Sequence, residues 1–143
     1  YRGDRVDRVY LYPYLAELLD SIFDTLSRIS VETDIDIDED LWVDPDTAIC
    51  IGLITNEVAT NAVKYGFSSE ESPQFELSIH PNAEGTEYTM QIGNNGNPIP
   101  EEVDFDSSMT LGLRLIASLV EQLRGTIELR KQPTPRYTIT FPT

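Results

Sequence analysis

The chain of 143 residues is strongly acidic, with a net charge of −15 from 25 acidic and 10 basic side chains. Its length and its hydrophobic content of 40% are typical of one folded domain with its own core, and they exclude a disordered chain. A surface this negative repels nucleic acids and anionic membranes, so we expect neither as a direct partner.

Other features of the composition bear on where the chain works. It contains no apolar run of about 20 residues, the length that a membrane-spanning helix needs. Its one cysteine, Cys50, lies in an apolar stretch and is interpreted as a core residue, which is compatible with a reducing compartment. Because the chain starts at Tyr1 without a methionine or a signal peptide, we expect a cytoplasmic piece of a larger protein, whose other parts can be membrane-anchored.

The first half of the chain predicts a helix, a strand and a second helix. Apolar residues recur at three- and four-residue steps over residues 12–29, and polar and apolar residues alternate over residues 30–37. Asp44-Pro45 supplies a cap and a first-turn proline for the next helix, which is expected to run to about Tyr65 and to stop at Gly66.

The second half predicts a hairpin, a loop, a helix and a last pair of strands. Strands are predicted over four segments, namely 74–80, 86–92, 126–130 and 137–141. A hairpin-like turn covers residues 82–85, a loop covers residues 93–110, and a helix covers residues 111–123 until Gly125 ends it. This order predicts an α/β fold, a two-layer sandwich of a mixed, mostly antiparallel sheet with helices on one face.

Three polar side chains stand beside the apolar stripe of the second helix. Glu57, Asn61 and Lys64 are spaced by four and three residues, so they share one helix face. A carboxylate, an amide and an ammonium group together suit a divalent cation with attached phosphates. A solvated hydrogen bond between Glu57 and Asn61 explains the same spacing, and the helix alone does not decide between these interpretations.

Two segments that contain glycine follow this helix. Residues 94–100 come after a predicted strand and combine glycine, asparagine and proline, which indicates a chain reversal. Gly112 stands at the start of the last helix, where exposed first-turn amides and the helix dipole attract phosphate. Each segment alone is weak evidence, since a turn needs no ligand, but the order of all three features is more specific.

In this order, the motifs resemble the catalytic, ATP-binding domain of sensor histidine kinases. The asparagine box of the short-lid histidine kinases resembles residues 53–57 with 61–67, and their second glycine motif resembles residues 110–116. Type II topoisomerases, the 90-kDa heat-shock chaperone and mismatch-repair ATPases share the superfamily. The resemblance implies the Bergerat ATP-binding fold for residues 12–143, with residues 1–11 as a linker remnant from the dimerisation domain.

The resemblance also implies a role for each matched residue. Asn61 would coordinate magnesium between the phosphates of ATP, Glu57 would hold a metal-bound water, and Lys64 would contact the phosphate chain. Gly112 would accept the β- and γ-phosphates, and Gly96 would give room beneath the adenine. Residues 98–110 would form a mobile lid. Further nucleotide contacts are implied for Tyr65, Asn94, Ile99, Thr110, Leu111, Leu113 and Thr138.

The sequence departs from the family pattern where the base would bind. Asn94 replaces an aspartate that accepts from the adenine amino group, Thr134-Pro135 replaces a Gly-Thr pair, and Pro98 replaces a common glycine. The amide of Asn94 fits adenine in one orientation and guanine in the other, which predicts weaker ATP binding and a smaller preference for ATP over GTP than an Asn94→Asp variant shows. The alternative is that Asn94 behaves much as the aspartate does.

The predicted function is that of the ATP-binding half of a two-component sensor kinase. Mg-ATP would be presented to a histidine on a separate dimerisation domain, and the phosphoryl group would then pass to the receiver domain of a response regulator. The chain alone is not expected to phosphorylate itself, because its one histidine, His80, lies in no matching context and is interpreted as an ordinary exposed residue. Two alternatives stay open: a degenerate regulatory module, and an ATP hydrolase with Glu57 as the general base.

Overall fold

The computed structural model describes residues 7–69, 72–103 and 111–143 of the chain. Its α-helices are α1 (Leu11–Leu26), α2 (Pro45–Asn61) and α3 (Leu111–Gln122). Its strands are β1 (Val9–Tyr10), β2 (Glu32–Ile37), β3 (Trp42–Val43), β4 (Gln74–Pro81), β5 (Glu87–Asn94), β6 (Thr126–Arg130) and β7 (Arg136–Pro142). Within the described ranges, no helix combines the length and the apolar character needed to cross a bilayer.

Five of these strands form one mixed sheet in the order β2-β4-β5-β7-β6. β2 pairs with β4 in parallel, whereas the other neighbouring strands pair antiparallel. The hairpin between β4 and β5 is closed by Asn82, whose side-chain oxygen accepts from Thr86 N–H at 2.9 Å. The prediction of a mixed, mostly antiparallel sheet is confirmed.

The sheet buries one face against the helices and leaves its other face polar. Along β7, the alternation puts Tyr137, Ile139 and Phe141 into the core and leaves the intervening residues only half-buried. Helices α1 and α2 pack on the buried face with apolar side chains such as Leu15 and Ile51, which are fully buried. The predicted two-layer arrangement is therefore confirmed as well.

Helix α2 begins where the sequence predicts. Asp44 Oδ1 accepts a hydrogen bond of 2.8 Å from Thr47 N–H, and Pro45 occupies the first helical position, where no N–H is required. The hydrogen bonds with Thr47 lower the pKa of the Asp44 carboxyl below its usual value. This cap sets the direction of α2, the helix that carries the polar residues of the predicted site.

The end of α2 differs from the prediction. The α-helical segment stops at Asn61, and Ala62–Gly66 form a π-helical turn in which Phe67 N–H donates to the carbonyl of Ala62, five residues earlier. The helical segment therefore reaches Gly66, as predicted, but its last turn is a π turn and not a regular α-helical one. Because a π turn holds more residues than an α-helical turn, side chains beyond Asn61 leave the face that a regular spacing assigns to them.

Two other helix ends differ from the prediction in detail. Helix α1 ends at Leu26 and not at Ile29, because the Ser27 hydroxyl bonds to the Ile29 carbonyl at 2.6 Å and offers the backbone an alternative to the helix. Helix α3 ends through Arg124, which adopts a φ of 59°, so the left-handed position belongs to Arg124 and not to Gly125.

A short antiparallel ribbon near the start of the chain is absent from the sequence prediction. Strand β1 pairs with β3, and the rings of Tyr10 and Trp42 stack with their centroids 4.9 Å apart. The next residue, Leu11, is fully buried and donates its N–H to the carbonyl of Leu41. Strands of two residues are too short to show alternation in a sequence. The boundary between residues 11 and 12 stays a prediction.

His80, in β4, has two acidic neighbours. Its Nδ1 lies 3.1 Å from Asp38 Oδ1, and its Nε2 lies 3.1 Å from Asp36 Oδ2. The hydrogen bond with Asp38 raises the pKa of His80 above its usual value, burial opposes this increase, and Asp36 adds to it. The side chain is 42% exposed, as predicted, but it forms ion pairs with these carboxylates when it is protonated and so is more than an ordinary surface residue.

We expect this pairing to make folding weakly dependent on pH. Because the pKa of His80 is raised in the folded state, its contribution is complete below the unfolded pKa of about 6.5 and is lost as the pH rises through the folded value. The thermal midpoint should therefore fall slightly more between about pH 6 and about pH 9 in the wild type than in His80→Gln. The effect is small because solvent screens an exposed pair. If the thermal midpoints of the two proteins changed equally with pH, this contribution of His80 would be ruled out.

Candidate functional site

A cavity of about 440 Å³ opens between the C-terminal end of α2, its π turn, the ends of β5 and β7, and residues 98–103. Its walls consist mainly of apolar side chains, with a few amides among them. The lining residues are Val58, Asn61, Ala62, Tyr65, Gly66, Asn94, Asn97, Pro98, Ile99, Pro100, Val103, Leu113, Pro135 and Tyr137. A cavity of this size and character suits a ring system that makes few polar contacts.

One side of the cavity is built from two backbone segments in close contact. Asn97 N–H donates to the carbonyl of Gly66 at 2.8 Å, so the turn after β5 rests on the π turn after α2. A Cβ added to Gly96 would overlap this carbonyl group. Gly96 itself does not line the cavity. The glycine is therefore required by the approach of the Gly66 backbone.

Asn94, the last residue of β5, holds this turn from the sheet side. Its backbone N–H donates to the carbonyl of Pro135 at 3.3 Å, and its side-chain Oδ1 accepts from Gly96 N–H at 2.7 Å. The residue is half-buried and lines the cavity, while its contact with a base stays a prediction.

A polar corner adjoins the cavity where α2 faces the start of α3. A Cβ added to Gly112 would lie 3.3 Å from Glu57 Oε2 and 3.4 Å from Asn61 Nδ2. Glu57 and Asn61 are half-buried, and Asn61 also lines the cavity. The structure thus brings together three residues that the sequence assigns to metal and phosphate binding, although 51 positions separate Asn61 from Gly112 in the numbering.

Tyr137 connects the cavity with this corner and was missed by the sequence analysis. It lines the cavity and is only 3% exposed. Burial is the main cause that raises the pKa of its hydroxyl to about 12, and the negative charge of Glu57 adds to the effect. The hydroxyl therefore stays protonated near neutral pH. The alternating pattern of the last strand was the available signal, since it turns Tyr137 and not Thr138 towards the core.

Lys64 and Tyr65 both lie in the π turn, and the structure places them differently. Tyr65 lines the cavity although 64% of its surface is exposed. Lys64 is exposed and does not line the cavity, so it does not share the enclosed position of Asn61. The departure from α-helical geometry after Asn61 is the physical reason. A contact between Lys64 and phosphate stays a prediction.

The first part of the predicted lid packs against the connection between β6 and β7. Ile99, which lines the cavity, donates its N–H to the carbonyl of Lys131 at 3.1 Å and accepts from Gln132 Nε2 at 3.3 Å. Lys131 Nζ donates to the carbonyl of Glu101 at 2.8 Å. Residues 98–103 are thus attached to the sheet, whereas the predicted lid residues 104–110, with the predicted contact Thr110, lie outside the described residues.

The remaining predicted contacts divide between the cavity and other surfaces. Leu113 is buried and lines the cavity, but Leu111 is 78% exposed and does not. Thr138 pairs with Gln91 in register and alternates with the core residue Tyr137, so its side chain lies on the polar face of the sheet, away from the cavity. The prediction that Thr138 contacts the nucleotide does not agree with this placement.

The donors in the polar corner suit one kind of metal binding only. Among the described residues, no group of three or more histidine, cysteine, aspartate or glutamate side chains is arranged to hold a metal ion. The Asn61 amide oxygen and the Glu57 carboxylate alone are too few for the octahedral coordination of Mg²⁺, which is completed by water and phosphate. This donor set therefore fits Mg²⁺ that arrives with a polyphosphate.

Comparison with known proteins agrees with this geometry. A family model described as histidine kinase-, DNA gyrase B- and HSP90-like ATPase matches residues 46–143. The chain is 27% identical over 121 residues to blue-light-activated histidine kinase 2 of Erythrobacter litoralis, an alignment that covers 85% of the chain and 34% of that protein. The chain thus spans about a third of the length of this relative.

Solved structures share the fold. The histidine kinase domain of the Erythrobacter litoralis EL346 blue-light activated histidine kinase matches with a TM-score of 0.83 and 25% identity, over 94% of this chain and 61% of that one. The Acinetobacter baumannii histidine kinase AdeS matches with a TM-score of 0.76 and 19% identity, over 94% and 66%.

The family match contains most of the site. Residues 46–143 include the polar corner and the cavity walls from α2 to β7. Members of this family bind ATP, and its enzymes are kinases or ATPases. The chain belongs to the histidine kinase-, DNA gyrase B- and HSP90-like ATPase family, and it is the counterpart of the ATP-binding kinase domain of its histidine kinase relatives.

Proposed function

We propose that this domain binds ATP together with Mg²⁺ and presents the γ-phosphoryl group to a histidine on a separate domain of the same parent protein. The observation that carries the proposal is the meeting of Glu57, Asn61 and Gly112 beside a largely apolar cavity. A purine ring suits the cavity, and a polyphosphate needs the polar corner next to it. Family membership supports ATP as the nucleotide.

In this proposal, the chain binds and orients the nucleotide. Asn61 and Glu57 supply the oxygen atoms for the cation, and Gly112 lets the phosphates approach the start of α3 because no side chain fills that space. Lys64 adds a positive charge from the neighbouring π turn. When bound, magnesium neutralises the charge that develops on the phosphates during transfer.

The accepting histidine is proposed to lie outside this chain. His80 is the only histidine of the sequence, it is paired with Asp36 and Asp38, and it does not line the cavity. We therefore propose a histidine-bearing dimerisation domain of the parent protein as the first partner and the receiver domain of a response regulator as the second. The domain is proposed to work in the cytoplasm, without direct contact with membrane or nucleic acid.

Three measurements test the proposed function. Calorimetric titration of the 143-residue chain is expected to give ATP binding that requires Mg²⁺, and binding without this requirement, or none, would favour a degenerate module. The full parent protein, given ATP labelled at the γ-phosphate, is expected to acquire label on a histidine and to lose it in Asn61→Ala. Phosphate release by the chain alone, abolished by Glu57→Ala, would favour a hydrolase instead.

Replacement of Gly112 by alanine is expected to separate stability from binding. The new methyl group would lie 3.3 Å from Glu57 Oε2 and 3.4 Å from Asn61 Nδ2, and both side chains are flexible enough to adjust. Alanine also favours a helix over glycine by up to about 1 kcal/mol, so the unfolding midpoint in urea should not fall. The affinity for Mg-ATP should fall about tenfold, because the methyl group would occupy phosphate space. If Gly112→Ala bound Mg-ATP as tightly as the wild type, the phosphates would not lie beside Gly112.

A further inference from the structure

The hydroxyl group of Tyr137 opens onto the cavity. The residue lines the cavity, is only 3% exposed, and its side chain makes no hydrogen bond within the described residues. In residues 7–69, 72–103 and 111–143, the one fully enclosed side-chain polar atom without a partner is Thr55 Oγ1. The hydroxyl oxygen of Tyr137 is therefore not fully enclosed, and a ligand in the cavity can reach it.

Packing alone does not explain this hydroxyl group. Phenylalanine would fill the same space in the core, whereas a hydroxyl group that leaves bulk water without gaining a partner costs free energy. Burial raises the pKa of Tyr137 to about 12, and the negative charge of Glu57 adds to the increase. The group therefore stays a neutral hydrogen-bond donor near neutral pH, and a bound ligand can supply its acceptor.

Two observations place the hydroxyl group at the end of the cavity that adjoins the polar corner. The charge of Glu57 acts on it, and Glu57 lies in that corner with Gly112. Leu113, the residue after Gly112, lines the cavity together with Tyr137. A ligand whose ring fills the cavity and whose phosphates fill the corner must pass this point.

The polar corner offers ligands for a cation but few side-chain donors for phosphate oxygens. Glu57 has only oxygen atoms at its end, and the proposed site uses the amide oxygen of Asn61 for the cation. Lys64 is exposed and does not line the cavity. In a chain with a net charge of −15, a neutral hydroxyl group in the cavity wall is therefore a useful donor to an anion.

We propose that the Tyr137 hydroxyl donates a hydrogen bond to an oxygen of the phosphate nearest the nucleoside, which is the α-phosphate of ATP. This inference rests on the proposed function, since it requires a nucleotide in the cavity. A hydrogen bond to a charged oxygen is stronger than one between neutral groups. ATP and ADP share this phosphate, so the contact should contribute equally to the binding of both.

Tyr137→Phe removes this oxygen atom and leaves the ring in place. In titrations of the 143-residue chain, the affinities for Mg-ATP and Mg-ADP are each expected to fall by about tenfold. Phosphorus NMR of bound ATP should show its largest difference between the wild type and the variant at the α-phosphorus. The urea midpoint of the ligand-free chain should not fall, because the hydroxyl makes no hydrogen bond within the described residues. Weaker binding with undiminished stability distinguishes a ligand contact from a structural role.

Tyr88 provides the matched control. It pairs in register with Phe141, four residues along β7 from Tyr137, so it lies on the same face of the sheet. It does not line the cavity. Tyr88→Phe removes the same atom from the same type of side chain, and we expect it to keep the wild-type affinity for both nucleotides.

Several results would overturn the inference while leaving the proposed function in place. These are wild-type affinity for Mg-ATP in Tyr137→Phe, or equal losses in Tyr137→Phe and Tyr88→Phe. A loss for ATP without one for ADP would assign the hydroxyl to the γ-phosphate, and an unchanged α-phosphorus resonance would assign it to the nucleoside. A lower urea midpoint, or failure of Tyr137→Phe to fold, would mean that the hydroxyl serves the fold. If the wild type bound no Mg-ATP, the proposed function and the inference would be rejected together.

Discussion

Asn61→Ala is expected to lower the affinity of the chain for Mg-ATP by about a hundredfold while leaving the fold intact. Asn61 lines the cavity, and its Nδ2 lies 3.4 Å from the position of a Cβ on Gly112. Without its amide, the chain loses a ligand of the cation. The negative phosphates are then repelled by a chain whose own net charge is −15. Folding should change little, because the side chain is only half-buried and alanine is a good helix former.

The comparison that isolates this effect uses Asn56, an exposed asparagine of the same helix that does not line the cavity. Calorimetric titrations of the wild type, Asn61→Ala and Asn56→Ala should show weakened binding in Asn61→Ala alone. Repeating them without Mg²⁺ should remove most of the difference between the wild type and Asn61→Ala. Wild-type affinity in Asn61→Ala would mean that this amide is not a ligand of the cation, and the proposed site would be wrong.

The features that sequence reasoning predicted correctly depend on local signals. The Asp44 cap lies three residues from its partner Thr47, and each long strand shows an alternation of polar and apolar residues. The spacing between Glu57 and Asn61 lies within one turn of helix, and the structure keeps it because α2 remains α-helical up to Asn61. Such signals were enough to predict the layers of the fold and one side of the candidate site.

The features that the sequence could not predict depend on contacts between distant segments. Val103 and Pro135 become cavity walls only when residues 98–103 and the β6–β7 connection come together. The π turn that separates Lys64 from the cavity has no periodic signature in the sequence. Thr138 was assigned to the site through resemblance, although strand alternation alone would have favoured its neighbour Tyr137.

Gly96→Ala is expected to destabilise the chain by about 3 kcal/mol and to abolish nucleotide binding. The added Cβ would overlap the carbonyl group of Gly66, which is backbone and cannot rotate away as a side chain does. Moving either segment would also strain two hydrogen bonds, from Asn97 N–H to Gly66 and from Gly96 N–H to Asn94. The urea midpoint for unfolding measures the loss of stability, and titration with Mg-ATP measures the loss of binding.

Gly112→Ala is the matched substitution, since it adds the same methyl group at a position where the atoms it meets belong to the flexible side chains of Glu57 and Asn61. The urea midpoint should therefore be lower than that of the wild type in Gly96→Ala, and equal to it or higher in Gly112→Ala. A wild-type urea midpoint in Gly96→Ala would mean that the Gly66 backbone moves aside to accommodate the added methyl group. The turn that positions Asn94 would then be less rigid than the close contact between Gly96 and Gly66 implies.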